Sequence, residues 1–203
     1  MPLFYQHSIN ESKLAVWHIT EDEEFFLQKV PLQTFVKHPH KRLQHLAARY
    51  LLQLLQPGFP FHQIEISSSK KPLLADESFH FSVSHCGDYA AAIVSKTNLV
   101  GIDVELITPK IEKVKDKFLK PSEIRILPKC DAKFLTLCWS AKEAIYKWYG
   151  KGNLDFKGNM NIDEFDIKNG EGVLKSHFFK EKSIALKIEY KFFENLCLAW
   201  LER

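Results

Sequence analysis

Two long helical patterns, each followed by a block of short β-prone segments, restrict the fold of this chain more than any other feature. In the first pattern, apolar residues recur at helical spacing from about 40 to 55, and Pro57 ends it. The second pattern covers residues 133–152 and ends in two glycines, Gly150 and Gly152. Because helices and strands come in blocks and do not alternate, the sequence predicts an α+β fold with antiparallel sheets.

The strands of the first block are short and closely spaced. Alternating apolar residues predict strands at 79–85, 89–95 and 99–107, and the tight connections between them favour an antiparallel meander. Further β-prone runs follow residue 160, with a hairpin turn predicted at Asn169-Gly170. Each helical pattern is therefore expected to pack on its own small sheet.

A change of composition marks a domain boundary. At about residues 107–112 a Lys-rich segment follows the apolar strands. This change predicts two halves of similar length, 1–107 and 108–203, each with one long helix and a small antiparallel sheet.

The charge balance excludes some classes of partner. The formal net charge of +3 is too small for a typical nucleic-acid-binding protein, but it suits an acidic protein or a phosphorylated ligand. No uncharged apolar stretch reaches membrane-spanning length, and no basic segment followed by an apolar run opens the sequence. The four cysteines lack metal-ligand spacing. The sequence predicts a cytoplasmic protein without a membrane or nucleic-acid partner.

Two acidic residues lie two positions apart on the strand at 99–107. Side chains alternate between the faces of a strand, so Asp103 and Glu105 share one face while Ile102 and Val104 point into the core. Neighbouring carboxylates repel each other, and a hard cation such as Mg²⁺ relieves that repulsion. A solvent-facing strand edge with two ordinary acids explains the same residues, and both interpretations stay open at this point.

The second helix contains a polar stripe. Trp139, Glu143 and Lys147 are spaced four apart and share one face, with Lys142 next to it. Such a stripe can present an acid and two bases to a ligand. The alternative is a surface Glu–Lys pair beside a core tryptophan.

Several basic and polar residues could contact phosphate groups. Ser84 and His85 end a predicted strand just before a turn, and Arg suits bidentate contacts with phosphate. Each of these residues is also compatible with an ordinary solvated surface. The remaining candidates are Arg42, Arg49, Lys71 and Pro72.

Taken in order, these motifs resemble those of one family. A basic helix, Lys71-Pro72, FSVSH, GIDVE, KFL followed by Glu123, and WSAKEAIYK occur in sequence between about residues 40 and 152. Their order resembles the 4′-phosphopantetheinyl transferases of the longer, surfactin-synthetase-activating type. GIDVE placed about 35 residues before WSAKEAIYK is the most specific part of the resemblance.

The resemblance implies an architecture and a reaction. Members are monomeric pseudo-dimers of two similar α+β halves, with coenzyme A in the cleft between them. They transfer the phosphopantetheine arm of coenzyme A to a serine of an apo acyl or peptidyl carrier protein and release 3′,5′-ADP. Mg²⁺ is the expected cofactor, and Mn²⁺ is possible because it accepts the same oxygen ligands.

The resemblance also implies roles for the candidate residues. Asp103, Glu105 and Glu143 would bind the metal ion, and Glu143, Asp103 and Lys147 would form the catalytic set, with Glu143 as the base. The residues implied to contact coenzyme A are Arg42, Arg49, Lys71, Pro72, Ser84, His85, Lys142 and Lys147.

Other functions fit the same motifs. The main alternative is a protein that binds coenzyme A or a carrier without catalysis, and a metal-dependent hydrolase of the same pyrophosphate bond is another. A carrier would be expected to dock around residues 110–129, with Phe118 and Leu119 either as an apolar anchor or as part of the core.

Overall fold

A computed structural model describes residues 2–32 and 35–203. Its strands are β1 (Leu3–Ile9), β2 (Ser12–His18), β3 (Ile64–Ile66), β4 (Pro72–Leu74), β5 (His80–Cys86), β6 (Tyr89–Ser95), β7 (Val100–Leu106), β8 (Met160–Lys168), β9 (Glu171–Phe179), β10 (Ser183–Phe192) and β11 (Leu196–Glu202). Its α-helices are α1 (Glu23–Leu27), α2 (Pro39–Leu55), α3 (Lys115–Phe118), α4 (Pro121–Arg125) and α5 (Ala132–Tyr149). Short 3₁₀ helices occupy Phe61–Gln63 and Pro109–Lys113. In these described ranges, no helix combines the length and the apolar character needed to cross a membrane.

The chain packs as two compact units. One comprises Met1–Ile102 with Glu202–Arg203, and the other comprises Asp103–Leu201. The division falls within β7, a few residues before the boundary that the composition predicts. Antiparallel sheets combined with a few helices agree with the predicted α+β class.

The first unit contains a four-stranded sheet covered by α2. The strand order is β1-β2-β6-β5, and each neighbouring pair is antiparallel. Helix α2 begins at Pro39, whose fixed φ suits the first helical turn, and its apolar face buries residues such as Leu46 and Leu51. Strand β1 has no counterpart in the sequence-based prediction, because its polar, irregular pattern is only half-buried.

The second unit contains a five-stranded sheet and α5. The strand order is β7-β11-β10-β9-β8. Helix α5 starts at the cap residue Asp131, whose carboxylate accepts from Phe134 N, and it ends where Gly150 adopts a left-handed φ of 71°. The hairpin predicted at Asn169-Gly170 is confirmed, since both residues have positive φ and connect β8 to β9.

The predicted three-stranded meander is wrong for its third strand. β5 and β6 pair as expected, but β7 lies beside β11 in the other sheet. The reason is that both edges of β6 are already occupied, one by β5 and the other by β2. Strand β7 therefore finds its partner far along the chain.

The charged segment at 110–129 forms short helices with a buried side. Phe118 and Leu119 are each 1% exposed, so the core interpretation of these two residues is correct and the anchor interpretation is wrong. Glu123, an acidic residue in the same segment, is equally buried.

Candidate active site

Three carboxylates of the second unit lie near one another. Asp103 and Glu105 extend from β7, and Glu143 extends from α5. Ile102 and Val104 are fully buried, as the alternation along the strand predicts. Asp103 is itself only 2% exposed, so the interpretation of this residue as an ordinary solvent-facing acid is wrong.

Helix α5 contributes one partner to each acid of β7. The Lys147 ammonium lies 2.7 Å from Asp103 Oδ1, and Trp139 Nε1 donates to Glu105 Oε1 at 3.2 Å. Since Trp139, Glu143 and Lys147 share a helical face, the stripe predicted from their spacing is directed at β7. Lys147 thus contacts an acid of the neighbouring strand. The alternative interpretation, a surface ion pair between Lys147 and Glu143, is not what the structure shows.

Burial and mutual repulsion raise the pKa values of two of these acids. Burial, reinforced by the charge of Asp103, raises the pKa of Glu105 to about 7. The pKa of Glu143 is also raised by burial and then by Asp103, while Lys147 acts in the opposite direction. Both shifts show that negative charge is disfavoured here, so a ligand that brings positive charge would be stabilised.

The donor atoms suit a hard divalent cation. Carboxylate oxygens are the ligands that Mg²⁺ prefers, and Asp103, Glu105 and Glu143 provide them where extra negative charge is disfavoured. Among the described residues, however, no three His, Cys, Asp or Glu side chains are drawn together closely enough to form a ready-made metal site. The Lys147 ammonium lies against Asp103 instead. The three residues fit the cation by their chemistry, and bringing them around it requires side-chain adjustment.

Lys142 lies in the protein interior. Its side chain is fully buried, and its ammonium is 2.8 Å from Glu123 Oε1. It also donates to three backbone carbonyl groups. This placement differs from the predicted contact with ligand phosphates, because all of these partners belong to the protein.

An apolar cavity of about 440 Å³ lies beside Trp139. Trp139 forms part of its wall and also donates to Glu105, so one side chain connects the cavity to one of the carboxylates. It is therefore placed to hold an apolar portion of a ligand whose charged portion contacts the acids. The lining residues are Val114, Lys117, Phe118, Trp139, Leu154, Asp155 and Phe156.

In the first unit, α2 carries an arginine and a histidine with buried side-chain nitrogens, and the sequence predicted only the arginine as a ligand contact. Arg49 Nε and His45 Nε2 are buried and have no hydrogen-bond partner among residues 2–32 and 35–203. Burial lowers the pKa of Arg49 to about 10. Burial, with the charges of Arg49 and His85, lowers the pKa of His45 to about 4. His45 was missed, although its spacing of four residues from Arg49 could have identified it.

Arg42 has a different role from Arg49. Its guanidinium bonds to Glu23 Oε1 at 2.7 Å and to the carbonyl oxygen of Val36 at 3.0 Å. These contacts tie α2 to α1 and to the segment before α2. The structure thus separates two arginines that the sequence left equivalent.

The other predicted phosphate contacts in the first unit are dispersed. Ser84 is buried and His85 is exposed, and as neighbours on β5 they face opposite sides of the sheet. Burial lowers the pKa of Lys71 to about 8, just before Pro72 begins β4. The preceding Lys70 has a φ of 67°, a backbone conformation that favours glycine.

Comparisons with known proteins agree with the motifs. A family model described as the 4′-phosphopantetheinyl transferase superfamily matches residues 99–200, just over half of the chain, and this range includes all three carboxylates. The chain is 37% identical over 103 residues to the 4′-phosphopantetheinyl transferase psf-1 of Bacillus pumilus, covering 47% of this chain and 43% of that protein.

Two further relatives have the name enterobactin synthase component D. The Salmonella austin protein is 33% identical over 145 residues, covering 68% of this chain and 57% of the relative. The Escherichia coli K12 protein is 31% identical over 113 residues, covering 53% and 54%, respectively. The chain thus spans about half the length of the curated relatives that it matches.

Proposed function

The chain belongs to the 4′-phosphopantetheinyl transferase superfamily, and we propose that it moves the phosphopantetheine arm of coenzyme A to a serine of an apo acyl or peptidyl carrier protein. The observation that supports this most directly is the group of Asp103, Glu105 and Glu143 beside Lys147, within the segment that matches the family. This group suits the pyrophosphate of coenzyme A when a divalent cation is bound.

The residues of the second unit have different roles in the proposed phosphoryl transfer. The serine oxygen of the carrier forms a bond to the β-phosphorus, and the bond from that phosphorus to the bridging oxygen breaks. The electron pair leaves with 3′,5′-ADP, and the serine proton passes to Glu143, whose raised pKa suits a base. The Lys147 ammonium attracts the charged phosphate oxygens. Mg²⁺ held by Asp103, Glu105 and Glu143 would neutralise charge on the pyrophosphate.

The apolar cavity is the proposed binding site of the pantetheine arm. In coenzyme A the arm begins at the β-phosphate, so a cavity connected to one of the carboxylates is in reach of it. Trp139 links the two regions, since it lines the cavity and donates to Glu105. We assign the arm to this cavity.

The nucleotide end of coenzyme A is assigned to the first unit. Arg49 and His45 have buried nitrogens that an anion would satisfy, and His85 lies close enough to His45 to affect its pKa. A 3′-phosphate supplies the charge that such a group favours. Lys71 and Pro72 stay as predicted contacts near the adenine.

The remaining features of the proposal rest on the family resemblance. They are a monomer of two similar halves, a requirement for Mg²⁺ or Mn²⁺, an acidic carrier as partner, and a cytoplasmic location. Electrostatic attraction between the weakly basic chain and such a carrier would favour their encounter.

Intact-mass measurement of a carrier protein tests the function. The protein is incubated with coenzyme A, Mg²⁺ and an apo carrier, and the carrier is expected to gain the mass of one phosphopantetheine arm. The gain should be lost with a chelator. If several carriers stay unmodified while coenzyme A binds, the chain is a non-catalytic binding protein. Release of free phosphopantetheine would instead identify a hydrolase.

A further inference from the structure

An ion pair in the second unit is almost completely removed from solvent. The side chains of Lys142 and Glu123 are 0% and 1% exposed, and Lys142 Nζ lies 2.8 Å from Glu123 Oε1. Apolar residues of similar volume commonly stabilise a fold as well as such a pair does, because desolvation opposes the attraction between the charges. The role of this pair is therefore sought in its geometry, that is, in the backbone segments that it holds in place.

Lys142 fixes two segments that line the apolar cavity. Its ammonium donates to the carbonyl oxygens of Phe118 at 2.7 Å, Phe156 at 2.9 Å and Met160 at 3.3 Å. Phe118 ends α3, and Phe156 lies in the connection between α5 and β8. One side chain of α5 thus holds two segments that are distant in sequence.

Glu123 completes the same network from α4. Its Oε2 accepts from Lys120 N at 2.7 Å, and its Oε1 accepts from Ile162 N at 2.9 Å. The carboxylate consequently joins the start of α4 to β8 while it neutralises Lys142. Charged acceptors and donors form the stronger class of hydrogen bond, so the network is a stiff one.

The residues held in this way are walls of the cavity. The rings of Phe118 and Phe156 lie on Trp139, with centroid distances of 5.2 Å and 5.5 Å. Trp139 is three residues before Lys142 and therefore lies close to it on α5. The backbone of both phenylalanines and the position of the tryptophan are thus set relative to one helix.

We propose that Lys142 and Glu123 are positioning residues that set the width of the apolar cavity for the pantetheine arm of coenzyme A. This inference rests on the proposed function and deepens it. Neither residue touches the reacting atoms, since both are enclosed by protein. They act through Phe118 and Phe156, whose positions shape the wall against which the arm would lie.

The test compares two ligands that differ by the arm. Dissociation constants of coenzyme A and of adenosine 3′-phosphate 5′-diphosphate, which keeps both 5′-phosphates and lacks only pantetheine, are measured by calorimetry with the full chain. The double variant Lys142→Met/Glu123→Leu removes both charges, so neither is left buried without its partner. It is expected to bind adenosine 3′-phosphate 5′-diphosphate as the original chain does, and to lose on the order of tenfold in affinity for coenzyme A. The KM for coenzyme A should rise by the same factor.

Two further variants separate positioning from general destabilisation. Glu123→Gln keeps the side-chain length and one acceptor oxygen but leaves the buried Lys142 ammonium without its counter-charge, so it is expected to weaken coenzyme A binding at least as much as the double variant does. Leu186→Ala removes a buried side chain of β10 that does not line the cavity, and it should leave the ratio of the two dissociation constants unchanged.

The outcomes distinguish this inference from the proposed function. An unchanged ratio in the folded double variant, or an equal change in Leu186→Ala, would overturn the positioning role. If the original chain binds both ligands equally well, the cavity does not hold the arm, and the inference fails while carrier modification can still be observed. If the original chain binds neither ligand and modifies no carrier, the proposed function fails first.

Discussion

Replacing Lys147 by methionine tests whether the buried carboxylate of Asp103 depends on its charge partner. The change keeps most of the side-chain volume and removes the ammonium that lies 2.7 Å from Asp103 Oδ1. The Asp103 side chain is 4% exposed and Lys147 is 24% exposed. Loss of one partner from a buried pair costs about 3–5 kcal/mol, and the partial exposure of Lys147 places the expected loss near about 3 kcal/mol.

A matched control comes from the same unit. Lys175 lies 2.8 Å from Glu164 Oε2, which is nearly the same distance, but the two side chains are 50% and 58% exposed. Because solvent screens this pair, Lys175→Met is expected to change the free energy of unfolding little. The two variants differ mainly in the burial of the acid that remains.

Urea unfolding at pH 7, followed by circular dichroism with and without Mg²⁺, measures both effects. Mg²⁺ should stabilise Lys147→Met by about 2.7 kcal/mol at a hundredfold excess over its dissociation constant, and the original chain by less. The reasoning is refuted if Lys147→Met and Lys175→Met lose equal stability. An absence of Mg²⁺ stabilisation in every variant would remove the support for a cation at these carboxylates.

Three further predictions concern other parts of the chain. Glu143→Gln should lose most carrier modification yet retain coenzyme A binding, and near-normal turnover would exclude Glu143 as the base. His45 takes up a proton near pH 4 when folded but near pH 6.5 when unfolded, so stability should fall as pH drops through that interval. Because His45→Gln has no imidazole to titrate, between pH 7 and pH 5 its free energy of unfolding should fall by about 1–2 kcal/mol less than that of the original chain, measured by urea unfolding. Gly172→Ala would place its Cβ 1.9 Å from the carbonyl oxygen of Asp166 and should cost about 3 kcal/mol in thermal unfolding. Gly58→Ala, in open space at a φ of 78°, should cost about 1 kcal/mol.

Local patterns were sufficient to predict most elements of this fold. Helical periodicity identified α2 and α5 to within a residue or a few, because each has a long apolar face and a sharp end. Alternation along β7 correctly placed Ile102 and Val104 in the core. The partner of β7 could not be predicted in this way, since it depends on which sheet edges are already occupied.

The contacts of the two lysines of the WSAKEAIYK motif could not be predicted from the sequence. Lys142 and Lys147 are five residues apart, so they project about 140° apart around α5. The sequence assigned both to phosphate contacts. The structure directs Lys142 to Glu123 and Lys147 to Asp103. Which side of a helix faces the core is a property of the neighbouring segments, here α4 and β7.

The sequence by itself determined the α+β class, the helix ends, the hairpin at Asn169-Gly170 and the type of residue available for chemistry, because these follow from spacing within short windows. Only the tertiary structure decided that Asp103 is buried beside Lys147, that Arg49 is joined by His45, and that an apolar cavity adjoins Trp139. Burial and long-range pairing bring together residues from segments that no local pattern connects. The pKa values and the shape of the cavity depend on those contacts.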